Sequence, residues 1–269
     1  MKYKQNLHTH SIYCDGKDAP EETVKRALEL GFNSIGFSGH SPTSYSDAYH
    51  FDKSEEYKKE IYRLKEKYRG IIDVYCGLEF DMYSGVDTTG YEYLIGAMHY
   101  LKLGEDYVGF DRSAEVVKKV IDERFGGDGL KFAKEYYAQL SNLSEYGKFD
   151  IVGHFDLITK NIEKANLFEV NSKEYKKYAI DALNVLAEKF DVFEVNTGAI
   201  ARGYRTTPYP APFILKEMKS LGSKLIITSD CHDKNYIDCQ FKETEQYVKS
   251  YGFNEIYYFD NGQFKPCKI

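Results

Sequence analysis

The chain has 269 residues, 42 acidic against 36 basic side chains for a net charge of −6, and 42% apolar beside 29% charged content, which excludes the disordered, collagen-like and disulfide-scaffold classes. No run approaches the roughly 20 apolar residues that a membrane span needs, and the opening MKYKQNLHTH lacks the apolar core of a signal peptide, so a cytoplasmic location without membrane contact is expected. The negative charge disfavours nucleic acid as a partner, and five scattered cysteines without a CxxC pair disfavour both a disulfide framework and a zinc ribbon.

From the start of the chain, short apolar runs alternate with longer amphipathic segments. A strand is expected at 4–8, then a helix at 20–30, opened by Pro20 and Glu21-Glu22 and stopped by Gly31. A strand at 34–38, a helix at 54–68 and strands at 73–78 and 93–98 follow. The insertion after this fourth strand reads as two helices, 113–125 and 130–146. Strands at 151–153, 192–196 and 224–228 then alternate with helices at 172–189, 212–221 and 238–251. The segment 255–259, followed by Asp260-Asn261-Gly262, reads as an eighth strand or a hairpin packed on the edge. Neither a linker nor a repeat interrupts the pattern, so one domain over 1–269 is expected, an α/β barrel of βα units around a parallel sheet.

Six of the seven histidines fall at the C-terminal ends of these strands. His8 and His10 follow the first, His40 the second, His99 the fourth, His154 the fifth and His232 the seventh, while Glu79 ends the third and Asp230 precedes His232. In a parallel barrel those ends share one face, so the pattern predicts one site. His8 and His10, at period two on extended chain, put both imidazoles on one side, where they can chelate an ion. Imidazole with carboxylate suits Zn, Mn or Fe. His50 follows no strand and is expected at the surface or on the lip of the pocket. Cys14, Cys76 and Cys231 lie beside these motifs but read as small core residues.

The motifs His8-Thr9-His10, Asp15-Gly16, Ser38-Gly39-His40, Gly77-Leu78-Glu79, Met98-His99, Gly153-His154-Phe155-Asp156 and Ser229-Asp230-Cys231-His232 resemble the successive motifs of the PHP (polymerase and histidinol phosphatase) family. The match runs through most of the chain, and its length is similar to that of the stand-alone histidinol-phosphate phosphatases of histidine biosynthesis. That resemblance implies a distorted (β/α)7 barrel and up to three divalent ions. His8, His10, Glu79 and Asp230 would surround the first, Glu79 would bridge to a second held by His99 and His154, and Asp15, His40 and His232 would hold the third. One departure touches the third position: some relatives carry a histidine near Asp15, where this chain has Cys14-Asp15-Gly16.

The implied reaction is hydrolysis of a small phosphate monoester, L-histidinol phosphate, by in-line attack of a metal-bridging hydroxide. Asp15, His40 and Asp156 are the catalytic candidates. For the acid that protonates the leaving oxygen, Asp81, Asp156 and Asp233 stand right after metal motifs, and each could equally orient a ligating histidine. Arg202 and Arg205, on the loop after the sixth strand, are expected to grip phosphate oxygens. Asp47, Tyr49 and Asp81 could meet a cationic amino group. Competing readings are a nucleotide phosphatase or nuclease, which would call for a basic groove or stacking platform, and a non-catalytic metal-binding module, which needs fewer ligands than the nine present. An amidohydrolase would want a carbamylated lysine where Met98-His99 stands. The oligomeric state is left open.

Overall fold

The structure is a computed structural model describing residues 3–46 and 53–269; Asp47, Tyr49 and His50 lie outside the described residues. Eleven strands occur among those described: β1 Gln5–Asn6, β2 Ser34–Phe37, β3 Asp73–Asp81, β4 Tyr93–Ala97, β5 Tyr100–Leu103, β6 Asp106–Gly109, β7 Ile151–Val152, β8 Val192–Asn196, β9 Lys224–Thr228, β10 Glu255–Asp260 and β11 Gln263–Lys268. Seven of them form one parallel sheet in the order β1-β2-β3-β4-β7-β8-β9. Past Asn6 the chain turns to the segment after β9. The Cys231 amide donates to the His8 carbonyl at 3.0 Å, and the His10 amide donates to the Cys231 carbonyl at 2.8 Å. These two bonds draw the sheet into a nearly closed, distorted (β/α)7 barrel.

The helices α1 Pro20–Glu29, α2 Ser54–Lys67, α3 Ala114–Phe125, α4 Gly129–Leu140, α5 Lys173–Ala187, α6 Gly198–Ala201, α7 Pro212–Leu221 and α8 Phe241–Ser250 accompany it. Their ends follow local chemistry. Ser113, Asp128 and Ser172 cap first turns with their side chains, and proline opens α1 and α7.

Strand alternation sorts side chains between two cores. On β3, Val74, Cys76, Leu78 and Phe80 join the large outer core with the helices. Tyr75 faces the barrel interior, in a cluster with Leu7, Tyr93, Ile95, Ile151, Val192, Ile226 and Phe259. The Tyr93 hydroxyl crosses this space to donate to the Leu7 carbonyl at 2.5 Å. Gly77 makes room for it, since a Cβ there would sit 2.2 Å from the Tyr93 ring.

The antiparallel hairpin β10–β11 resolves the expectation for 255–259. Its Phe259 packs on Tyr75 and Tyr93 at 5.1 and 5.5 Å between ring centroids. Gln5 clamps it from β1: the amide nitrogen donates to the Phe259 carbonyl at 2.8 Å, and the amide oxygen accepts from the Phe259 N–H at 2.7 Å.

Four expectations shift. The first strand is short because residues 8–10 change partner to close the barrel. β3 runs on to Asp81, so Glu79 lies within the strand. The insertion after β4 carries the hairpin β5–β6 before its two helices. The single helix expected over 130–146 ends at Leu140 and resumes as a 3-10 turn at Leu143–Glu145.

Candidate metal centre

All nine expected ligands converge at the C-terminal mouth of the barrel. Their ligating atoms fall into four groups, each with all atoms within 4.8 Å of one another: His10, Asp15, His40 and His232; His8, His10 and Asp230; His8, Glu79 and His154; and His40, Glu79 and His99. Glu79 is the hub. Its Oε1 lies 2.8 Å from His154 Nε2 and 3.3 Å from both His8 Nε2 and His99 Nε2, and its Oε2 lies 2.8 Å from His40 Nδ1 and 3.5 Å from His10 Nε2.

Asp230 approaches His10 Nε2 at 3.1 Å. It adopts a left-handed backbone, φ 45°, of the kind that tight functional turns store. Asp15 reaches His10 Nδ1 and His232 Nε2, each at 3.2 Å. It is carried by a tight loop in which Gly16 leaves no space, because a Cβ there would be 2.4 Å from the Ser11 nitrogen.

A ring of outer partners fixes these imidazoles. Glu194 sits 2.6 Å from His8 Nδ1, accepts from the His154 amide at 2.6 Å and from Thr228 Oγ1 at 2.6 Å, and also accepts from Asn196 Nδ2 at 3.0 Å. Asp81 lies 3.1 Å from His99 Nδ1. Such carboxylate partners set the tautomer and orientation of a ligating histidine.

The electrostatics fit divalent cations. Burial would push the Glu79 carboxyl up, yet His40, His8 and His99 outweigh it and hold it well below the usual range. Burial pushes His8 down, but Glu194, Glu79 and Asp230 draw it up to about 10; His40, buried beside Glu79 and Asp15, rises to about 9. A cluster that binds protons so strongly attracts positive charge of any kind, and divalent ions would compete with those protons for the same donors. His8 Nε2, His10 Nε2 and Glu79 Oε2 are buried and face only the other candidate ligands, the arrangement expected of donors that would share ions.

Beside the cluster opens a cavity of about 260 Å³ whose further wall carries Asp111, Arg112, Lys160, Arg202 and Tyr204. Arg202 Nη2 pairs with Asp230 Oδ2 at 2.9 Å, and Nη1 lies 2.9 Å from His232 Nδ1. Lys160 pairs with Asp111 at 2.5 Å.

Residues 6–198 match the model of the PHP domain. The chain belongs to the PHP domain family. A Deinococcus radiodurans protein named "Probable histidinol-phosphatase" is 27% identical over 261 residues, covering 91% of this chain and 92% of the relative. The Bacillus subtilis histidinol-phosphatase is 27% identical over 255 residues, covering 85% and 93%. Among solved structures, the histidinol phosphate phosphatase of Lactococcus lactis, complexed with zinc, L-histidinol and phosphate, superposes with a TM-score of 0.75 at 20% identity, covering 97% of this chain and 98% of that one.

Within this PHP barrel two expected residues stand elsewhere. Asp156 is fully buried behind the site, its Oδ2 accepting from the Ala211 amide at 3.0 Å, and is absent from the cavity wall. Its expected place beside a leaving group is not the one it takes in this structure. Arg205 turns away from the cavity, donating to Thr159 Oγ1 and stacking 4.7 Å over Tyr209; the tight turn after α6 sends it to the opposite side of the loop from Arg202. Asp81 is engaged with His99, and Asp233 lies outside, paired with Lys17 at 3.2 Å.

Sequence reasoning passed over Glu194, although a lone carboxylate in the apolar strand Val192-Phe193-Glu194-Val195 was a signal of a buried polar role. Asp111, Arg112 and Lys160 gave no comparable signal, because they come from irregular segments. No helix among the described residues is long and apolar enough to cross a membrane.

Proposed function

We propose that this PHP protein is a metal-dependent phosphomonoesterase that hydrolyses L-histidinol phosphate to L-histidinol and phosphate. One observation carries the reading: five imidazoles converge on Glu79 beside a cavity lined with Arg112, Lys160 and Arg202. The histidinol-phosphatases that align over most of the chain supply the substrate.

The ions would be held by the four groups above, with Glu79 and the histidines shared between neighbouring positions, and zinc, manganese and iron all suit the donors. Bound there, divalent ions would neutralise the phosphoryl oxygens and lower the pKa of water toward neutrality. The protein's own groups do the rest. Asp230 aims Arg202 along the cavity wall, where its guanidinium can take a phosphoryl oxygen. Lys160 and Arg112 offer further cationic donors, and Asp111 places a negative charge on the wall for the cationic end of the substrate. Glu194 and Asp81 keep His8, His154 and His99 in register as charge develops.

Phosphate release should be measured from a panel of histidinol phosphate, nucleoside monophosphates, short oligonucleotides and p-nitrophenyl phosphate, before and after exhaustive chelation. Histidinol phosphate is expected to be preferred, and activity to vanish on chelation and return with zinc or manganese. Full activity in metal-free protein would refute the metal reading, and a nucleotide preference the substrate. Arg202→Ala should lower kcat/KM by about tenfold or more, against no change in the surface control Lys249→Ala.

A further inference from the structure

A second cavity, of about 320 Å³, opens between the first turns of α5 and α7 and the segment 159–171. It shares no lining residue with the cavity at the metal centre. Its floor is apolar, formed by Ile162, Val170 and Phe213, and its charged lining is entirely basic: Lys176, Arg205 and Lys216, with no carboxylate among the lining residues.

Arg205 is the decisive group. It is only 8% exposed, and its guanidinium is met by neutral partners alone: it donates to Thr159 Oγ1, donates to Thr207 Oγ1 at 3.3 Å, and stacks over Tyr209. Its Nε has no hydrogen-bond partner. The buried Asp156 influences it through space, yet among the described residues no carboxylate comes within ion-pair distance of it. A guanidinium taken out of water without a paired anion is strongly unfavourable, and its fork geometry matches carboxylate or phosphate. Lys176 and Lys216 sit over the rings of Phe213 and Tyr251, 5.8 and 6.0 Å from the centroids, and add two more positive charges. Three cations over an apolar floor, in a cavity large enough for a small ligand, define one ligand chemistry.

We propose that this cavity is a second ligand site, separate from the metal centre, for a small organic anion whose carboxylate or phosphate head meets Arg205 and whose apolar body lies against Ile162, Val170 and Phe213. The proposal stands independently of the substrate assigned to the metal centre.

The test is calorimetric titration of the metal-loaded protein with 1-naphthoate and with the non-hydrolysable 1-naphthylphosphonate, using the neutral 1-naphthylmethanol as control. Saturating inorganic phosphate is present throughout to occupy the metal centre. At least one of the two anions is expected to bind saturably at one site, at least tenfold more tightly than the neutral control, and the tighter of the two identifies the preferred head. The double variant Lys176→Glu/Lys216→Glu should weaken that binding tenfold or more while kcat/KM on the phosphomonoester stays within twofold. Arg205→Leu should abolish binding, and should it fail to fold, the lysine double variant decides alone. Absence of saturable binding, or unchanged affinity in the lysine double variant, would each overturn the site.

Discussion

The barrel interior has two halves built on the same strands. Low in the barrel, Tyr75, Tyr93, Ile95, Val192 and Ile226 close on Leu7 and Phe259. Two residues further along β3, β8 and β9, the same inward face carries Gly77, Glu194 and Thr228, and beyond them Glu79, Asn196 and Asp230. The lower half is held by removal of apolar surface from water. The upper half concentrates buried carboxylates and histidines whose opposite charges offset one another's desolvation. Stability and chemistry are thus separated along the barrel axis, and mutations in each half should be read by different measurements.

The largest effect is expected from Glu79→Gln, which removes the charge that five imidazoles share. Catalytic efficiency should fall by about 10³ to 10⁴-fold, or about 4 to 5.5 kcal/mol of barrier, with metal content reduced and the far-ultraviolet circular dichroism of the native fold retained. A loss of fold equal to the loss of activity would break the division. Phe259→Ala tests the other half: urea denaturation should report a loss of about 3 to 5 kcal/mol, while kcat on the surviving folded fraction stays within about twofold.

Glu194→Gln lies at the boundary. Its carboxylate touches His8, the His154 amide and Thr228, so metal affinity or turnover should drop by about 10 to 100-fold, measured by competition with a chelator. The smallest effect concerns the cavity wall. Burial would raise the Asp111 carboxyl, but Lys160 and His99 outweigh it and leave it at about 2. Because the folded value lies below the unfolded one, the ionised carboxylate stabilises the protein above the ordinary carboxylate range, and that contribution is lost as pH falls toward 2. Asp111→Asn should therefore cost about 2 kcal/mol at pH 7, with the gap to the parent closing between pH 4 and pH 2. A gap unchanged with pH would show that the carboxylate acts by shape and not charge.

What the sequence disclosed divides along the same axis. The ligands were legible because each follows an apolar strand, so period and position alone placed His40, His99, His154 and Asp230 on one face. Parallel strands buried on both sides read as short apolar runs, and seven of them were found. Glu194 was hidden because it sits within such a run and its partner His8 lies 186 positions away. The wall residues Asp111 and Lys160, 49 positions apart, meet only after the insertion folds over the mouth. The directions in which Asp156 and Arg205 point were not legible, because sequence gives the loop a residue stands on, while the turn geometry decides which way it faces. The β5–β6 hairpin was missed since Tyr100–Leu103 is only half-buried and its pattern is short.

The clasp between Gln5 and Phe259 spans 254 positions, and Asp15 meets His232 across 217. Both join the opening residues to the last strands, so the ring of strands and its histidines are completed by the contacts most distant in sequence. Closing such long loops carries an entropy that local contacts cannot offset until late. During synthesis, His8 and His10 are made before the other ligands, and Asp230 is the last of their carboxylate partners to appear. A nascent chain halted before β9 holds seven of the nine ligands with the barrel still open, and the full set is complete only when the seventh strand brings Asp230 and His232 to the first.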